Sequence, residues 1–350
     1  MTSAPLVAVV GAGPAGLAAV RRLRASRGVR VVLVVPGGLS EYLPGTLAVA
    51  TGDARAARYR TRVQLAGVEV VSDRAEAVEP GALGTAGSWR RVDAVIAAPG
   101  LALHAVGSAT SRSIVGFWDP TGAEAVAPRI GAVERGVVDV VISSLPYRCP
   151  PAPYGLAMRL ARRARRLGLP LHVRLLTPEQ HPLAVLGRTL GDALVAGCED
   201  AGVEVRLGTL VDPDALAEGK VPAPDNGPDA ADLTIVVPQH HASPLVADLA
   251  DANSPLVPVD ARFATEMAGV FVVGDAAASP TPGRRIPPHG RGRSPRRQCC
   301  PSSAHPSSAW RAPMRRRRPR RTASSTTARA PTGASRSPTP AGHHRKGGPP

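Results

Sequence analysis

The run Val7-Ala-Val-Val-Gly-Ala-Gly-Pro-Ala-Gly16 restricts the fold more than any other part of this sequence. The apolar residues Pro5 to Val10 are of the kind buried in parallel sheets, and they lead straight into glycines. Leu17 to Arg24 then has helical spacing, and Val29 to Val35 reads as the next strand, closing a β-α-β unit of about 30 residues. Gly11 permits the tight turn, Gly13 lets backbone approach a pyrophosphate, and Gly16 lets the helix close on the strand. Phosphates would face the positive N-terminus of that helix. The acidic residue expected near the end of the second strand, which would hold ribose hydroxyls, is absent. Val34-Val-Pro-Gly-Gly38 stands there, and Glu41, the nearest carboxylate, is a poor substitute.

The alternation continues along the chain. Val92 to Ala98 and Val270 to Val273 are further apolar runs, each ending in a glycine-containing turn. Between them, helices are expected at Thr121 to Glu134, Tyr154 to Leu167 and Leu183 to Ala201, and strands at Val137 to Ile142, Leu171 to Leu176 and Leu233 to Val237. Strands alternating with helices indicate open, mostly parallel sheets. The expected fold class is α/β, with two Rossmann-like dinucleotide-binding domains, the second inserted into the first. The first domain would comprise residues 1–105 plus 245–280, and the second residues 110–240.

The chain has 350 residues and a net charge of +16, but that charge is local. Residues 281–350 hold 16 Arg and 1 Lys and no acid; removing those 17 from the 43 basic residues leaves 26 against 27 acidic ones. The body is therefore near-neutral. The 281–350 segment has one residue of the Ile/Leu/Val/Phe set, Ile286, and 13 of the 37 prolines. Ordering each residue costs roughly 1–2 kcal/mol of backbone entropy, which one aliphatic side chain cannot offset, so a disordered basic tail is expected. Met314-Arg-Arg-Arg-Arg-Pro-Arg-Arg321 would bind phosphates in a salt-sensitive way. With Trp310 as the single aromatic and no folded reader motif, nucleic acid is disfavoured as a partner. An Arg/Pro/Ser/Ala/Gly composition without acids is what a GC-rich gene gives out of frame. The tail is read as a frameshift product, with a natural basic arm as the other reading. No run reaches the roughly 18 apolar residues a membrane helix needs, and no charged leader precedes the first strand, so a cytoplasmic location is expected. Four cysteines fit a reducing compartment.

Further segments point to flavin. Val92-Asp-Ala-Val-Ile-Ala-Ala-Pro-Gly100 resembles the strand-then-glycine segment that passes under the cofactor in two-dinucleotide flavoproteins. Thr265-Glu-Met-Ala-Gly-Val-Phe-Val-Val-Gly-Asp-Ala-Ala277 resembles their late glycine–aspartate motif. Tyr42-Leu-Pro-Gly45 leading to Ala50-Thr-Gly52, Leu256-Val-Pro-Val-Asp260, and above all Pro146-Tyr-Arg-Cys-Pro-Pro-Ala-Pro-Tyr154 complete the set. Residues 5–280 thus resemble the FAD-dependent pyridine nucleotide-disulfide oxidoreductase superfamily, in the branch of sulfide:quinone oxidoreductases and the flavoprotein subunit of flavocytochrome c sulfide dehydrogenase. The resemblance implies FAD held at Gly11, Gly13, Gly16, Pro44, Gly100, Gly274 and Asp275, with Asp275 accepting from the ribityl chain or capping a helix. It implies a catalytic Cys149 and two-electron transfer from a small reductant, sulfide or another sulfur compound, through flavin to a quinone or electron carrier.

Some features depart from that pattern. A glutamate that often follows the Pro-Tyr of the cysteine loop is Gly155 here, and no second redox cysteine is in place. Cys198 is expected to be packing in a helix end, and the adjacent Cys299 and Cys300 match no family position. Arg148 is expected to favour the Cys149 thiolate. The loop Ser143-Ser-Leu-Pro-Tyr-Arg-Cys149 stands where a second GxGxxG would take NAD(P)H, which argues against a nicotinamide donor. His240-His241 lacks metal-ligand spacing, so no metal is expected and the pair is read as a solvated loop. Arg159, Arg162, Arg163 and Arg166 share one helix face, read as solvated, with an acidic lipid surface or partner as the alternative. The competing functions are an NAD(P)H-dependent flavin reductase and a nucleic-acid-binding protein acting through its tail.

Overall fold

The computed structural model describes residues 4–26, 28–106, 113–184, 187–217 and 231–278. The expectations for residues 281–350, including Cys299 and Cys300, lie outside these.

Two five-stranded parallel sheets organise the described residues, as expected for an α/β protein with two Rossmann-like units. The first contains β1 (Leu6–Val10), β2 (Arg30–Val34), β3 (Glu69–Val71), β4 (Ala94–Ala97) and a late strand, Val270–Val272. The second contains β5 (Ile114–Gly116), β6 (Gly136–Ile142), β7 (Leu171–Leu176), β8 (Val203–Arg206) and β9 (Leu233–Val237). With the late strand as β10, the sheet orders are β10-β4-β1-β2-β3 and β5-β9-β6-β7-β8. In each, the chain runs outward from a central strand on one side and returns on the other. The crevices between β1 and β4, and between β6 and β9, are the switch points where such sheets take ligands.

Side-chain alternation decides what covers each face. In the first sheet Val9, Val31 and Leu33 pack with Val20 of α1 (Pro14–Arg24). On the other face Ala8, Val10, Val32, Val34, Val270 and Val272 pack with Leu83, Leu245, Val246 and Val257. In the second sheet Val138, Val140, Leu175 and Ile235 face α3 (Pro120–Ala132), α4 (Ala152–Leu167) and α5 (Arg188–Asp200), joined by Val49 and Ala50 of α2 (Thr46–Ala50). The antiparallel pair Leu101–Leu103 and His240–Ala242 links the outgoing and returning chain between the sheets.

Local chemistry sets the boundaries, and the structure moves several of them. α1 starts at Pro14 rather than Leu17, because proline suits the first helical position. α5 starts at Arg188, after Leu183 (φ +52°) and Gly187 (φ +97°), rather than at Leu183. Asp119 caps α3, its carboxylate accepting from the Gly122 amide at 2.8 Å. The meander Ala75–Glu79, Ala82–Thr85 and Ser88–Arg91 escaped the sequence reading; it turns at Gly81 and Gly87, both at positive φ. Among the described residues no helix is long and apolar enough to cross a membrane.

One polar contact lies inside the second sheet. Asp139 of β6 accepts from Arg174 of β7 through both oxygens, at 2.6 and 2.8 Å, with the side chains 1% and 3% exposed. Replacing Asp139 by Leu takes the paired carboxylate away from a buried guanidinium and should cost about 3–5 kcal/mol. Replacing both residues by Leu and Met should recover most of that loss in urea unfolding. A double variant no more stable than the single one would refute this view.

Candidate functional site

The three glycines of the first turn do different work. Gly11 has φ +95°, and a Cβ there would lie 2.2 Å from the Ala98 carbonyl oxygen. A Cβ at Gly16 would lie 2.0 Å from the Gly11 carbonyl oxygen. These two glycines let α1, the glycine turn and the end of β4 close on one another. A Cβ at Gly13, where φ is −72°, would meet nothing within 4 Å. Gly13 is therefore not required by internal packing, and its surroundings leave room for a group beside the backbone. No side chain caps α1; its first turn carries no acid, and Arg21, Arg22 and Arg24 stand in its last turn. Both features suit an anion at its N-terminus.

Three other segments are tied to this turn. Ala98 donates its amide to the Val10 carbonyl at 2.8 Å, and Gly100 follows at φ +69°. Val273 donates to the Ala97 carbonyl at 2.9 Å, which brings Gly274 against α1, where a Cβ would sit 3.0 Å from that of Ala15. Ser40 Oγ donates to the Ala12 carbonyl at 2.7 Å, anchoring the chain that leads into Tyr42–Gly45. Gly11, Gly13, Gly16, Gly100 and Gly274–Asp275 thus surround the first switch point. Pro44 is exposed on a separate turn, beside Thr46, whose buried hydroxyl has no hydrogen-bond partner among the described residues. Asp275 is exposed inside a short 3-10 turn that begins after Val273, so it caps no helix among the described residues. Glu41 pairs with Arg60 through Oε1 at 2.8 Å.

The cysteine loop leaves the end of β6 at the second switch point. Ser143, at the end of β6, donates its hydroxyl to the Val237 carbonyl at the end of β9 at 2.8 Å. Arg148 donates Nη2 to the Trp118 carbonyl at 2.5 Å, and Trp118 Nε1 returns a bond to the Arg148 carbonyl at 2.9 Å. Cys149 follows, exposed and at φ +57°. Its thiol is raised above the ordinary cysteine value, by desolvation first and by the Asp275 charge second; the Ala152 amide and Arg148 act the other way. The expectation that Arg148 would favour the thiolate is therefore outweighed. Burial also lowers Arg148 itself, against the pull of Asp119 and Asp275.

His240 corrects the sequence reading. It is buried in a short strand, not in a solvated loop. Its Nδ1 donates to the Pro238 carbonyl at 2.9 Å, which leaves Nε2 to accept the Arg148 amide at 3.5 Å. Burial, then Arg148, push the imidazole down to about 4, so it is neutral near pH 7. Among the described residues no cluster could hold a metal ion.

Glu179 was missed altogether. It lies three residues beyond β7, where the second strand of a dinucleotide unit places its ribose-binding acid. Its Oε2 already accepts the hydroxyls of Tyr147 (3.0 Å), Tyr154 (2.7 Å) and Thr177 (3.1 Å). Both phenols are pushed up, mainly by burial and by Glu179. That position past the strand end was the available signal; nothing marked Trp118. Cys198 is buried in the core, where burial pushes its thiol up to about 11.

No protein-family model matches the chain, and no curated protein matches it in sequence. Solved structures do. The sulfide:quinone oxidoreductase of Aquifex aeolicus superposes with a TM-score of 0.66 at 18% identity, over 79% of this chain and 69% of that one. The water-forming NADH oxidase of Lactobacillus brevis, bound to NADH, gives a TM-score of 0.58 at 15% identity, over 78% of this chain and 62% of that one. The chain thus spans less than two thirds of the NADH oxidase. At these identities the likeness is one of fold, which the described residues share with both structures.

Proposed function

We propose that the chain is an FAD-dependent oxidoreductase that passes two electrons from a small sulfur-containing reductant to a quinone or electron carrier. The observation that carries this reading is the convergence of the Gly11–Gly16 turn, the Ala98–Gly100 segment and Gly274–Asp275 at the α1 N-terminus, with Cys149 close enough to feel the Asp275 charge. The residues fit a dinucleotide on one side and lack a partner on the other. Amides of the glycine turn would hold the pyrophosphate and Asp275 the ribityl hydroxyls, with Pro44 and Gly100 bordering the ring. Glu41, the nearest carboxylate in sequence, has one oxygen held by Arg60. FAD, when bound, supplies the two-electron acceptor that side chains do not provide.

The chain's own residues would bind and orient the donor. The Arg148 guanidinium uses one donor on Trp118, and its other guanidinium N–H groups make no hydrogen bond among the described residues, so they would hold an anionic sulfur species beside Cys149. His240 and Glu179 hold the loop that carries both residues. The NAD(P)H-dependent alternative draws support from the likeness to an NADH oxidase. Against it, Glu179 is already engaged by three hydroxyls and prolines occupy the second turn. Anaerobic mixing separates the two: sulfide should bleach the visible flavin band and NADH should not. Bleaching by NADH alone would contradict the proposal.

Two glycine variants separate binding from folding. Gly13→Ala should leave thermal stability unchanged or slightly higher, since its Cβ meets open space, while FAD affinity falls by about tenfold or more. Gly16→Ala should lose both, because its Cβ falls on the Gly11 carbonyl. Equal FAD affinity in Gly13→Ala and the native chain would place the cofactor elsewhere.

The Cys149 environment gives a pH test. Its raised pKa means less thiolate at neutral pH than in an unfolded peptide, whose cysteine titrates near about 8.5, so alkylation should be slower and gain speed at higher pH. Asp275→Asn should move the profile to lower pH and Arg148→Gln to higher pH, read on the Cys149 peptide by mass spectrometry. Shifts of the opposite sign would rule out this electrostatic arrangement.

A further inference from the structure

α4 buries Leu156, Leu160 and Ala164 against the second sheet and turns Arg159, Arg162, Arg163 and Arg166 outward. That face forms one wall of a groove of about 380 Å³, whose other wall is the Thr51–Asp53 turn after α2 and whose lining includes Gly155 and Met158. We propose that this groove is a binding site for a small phosphate-bearing molecule, separate from the flavin site and independent of the redox reading.

Charge and geometry carry the argument. Four guanidinium groups share the groove with one carboxylate, Asp53. Asp53 holds Arg159 Nη1 at 3.1 Å and the Thr51 hydroxyl at 2.7 Å, and Arg163 Nη2 donates to the Gly131 carbonyl at 3.0 Å. Two of the arginines are thus tethered in place while keeping other donors. Arg162 and Arg166 make no ion pair or hydrogen bond among the described residues, so their forks are available. A planar fork matches two phosphate oxygens at once, and several in one depression suit a diphosphate. A concave surface lined by one sign of charge raises the local concentration of anions. The lining is a groove of ligand size rather than a flat face, which favours a compact soluble anion over a lipid surface.

The test is calorimetric titration of the full chain with inorganic pyrophosphate, alongside flotation with phosphatidylglycerol vesicles. The native chain should bind pyrophosphate, and Arg162→Gln with Arg166→Gln should weaken it by about tenfold or more without changing the thermal melt. Asp53→Asn removes the repelling carboxylate and should tighten binding several-fold. Replacing Arg315 to Arg318 by Gln in the basic tail should leave the groove's affinity unchanged. Absence of binding, or binding that survives the double variant, overturns the proposal, as does loss with the tail variant. Groove-dependent vesicle flotation without pyrophosphate binding would reassign the face to a membrane and equally overturn it. The titration is run with FAD present in excess, so that the glycine turn, the other expected pyrophosphate site, is occupied and only the groove is read; failure of the groove leaves the redox reading standing.

Discussion

The contact on which the rest depends is the approach of α1 to the glycine turn, where a single methyl group at Gly16 would collide with the Gly11 carbonyl. It sets the distance between helix and strand, and so points the uncapped N-terminus of α1 at the first switch point. Around that point β4 and β10 deliver Ala98–Gly100 and Gly274–Asp275 through backbone hydrogen bonds alone. Backbone bonds of this kind leave the side chains there free of any part in holding the turn.

The two sheets repeat one topology and use it differently. At the first switch point Gly13 faces open space. At the second, the cysteine loop leaves the sheet, and the acid beyond the end of β7 accepts from two tyrosines and a threonine. The second unit thus serves as a platform that holds Arg148 and Cys149 toward Asp275. His240, neutral because it is buried, supports that loop from the returning strand without adding charge.

Much of this was legible in the sequence because periodicity and glycine spacing are local signals. The strands at Leu171–Leu176 and Leu233–Val237 matched to the residue, and the glycine turn declared its context. What escaped depends on contacts between distant segments. Glu179 becomes informative only when Tyr147 and Tyr154 reach it, and His240 reads as a loop residue until the pairing of His240–Ala242 with Leu101–Leu103 buries it. The influence of Arg148 on Cys149 could not be weighed from sequence, because desolvation and Asp275 are both supplied by the fold. The α4 arginines were visible as a stripe, but the groove beside them needed the Thr51–Asp53 turn from another part of the chain.

The central claim is that the first switch point holds FAD. The measurement that tests it most directly is the visible absorption spectrum of the purified chain after incubation with FAD and removal of unbound cofactor, with the released cofactor identified by mass. A bound flavin spectrum, with FAD as the species released, is expected. A colourless protein that FAD does not reconstitute would contradict it.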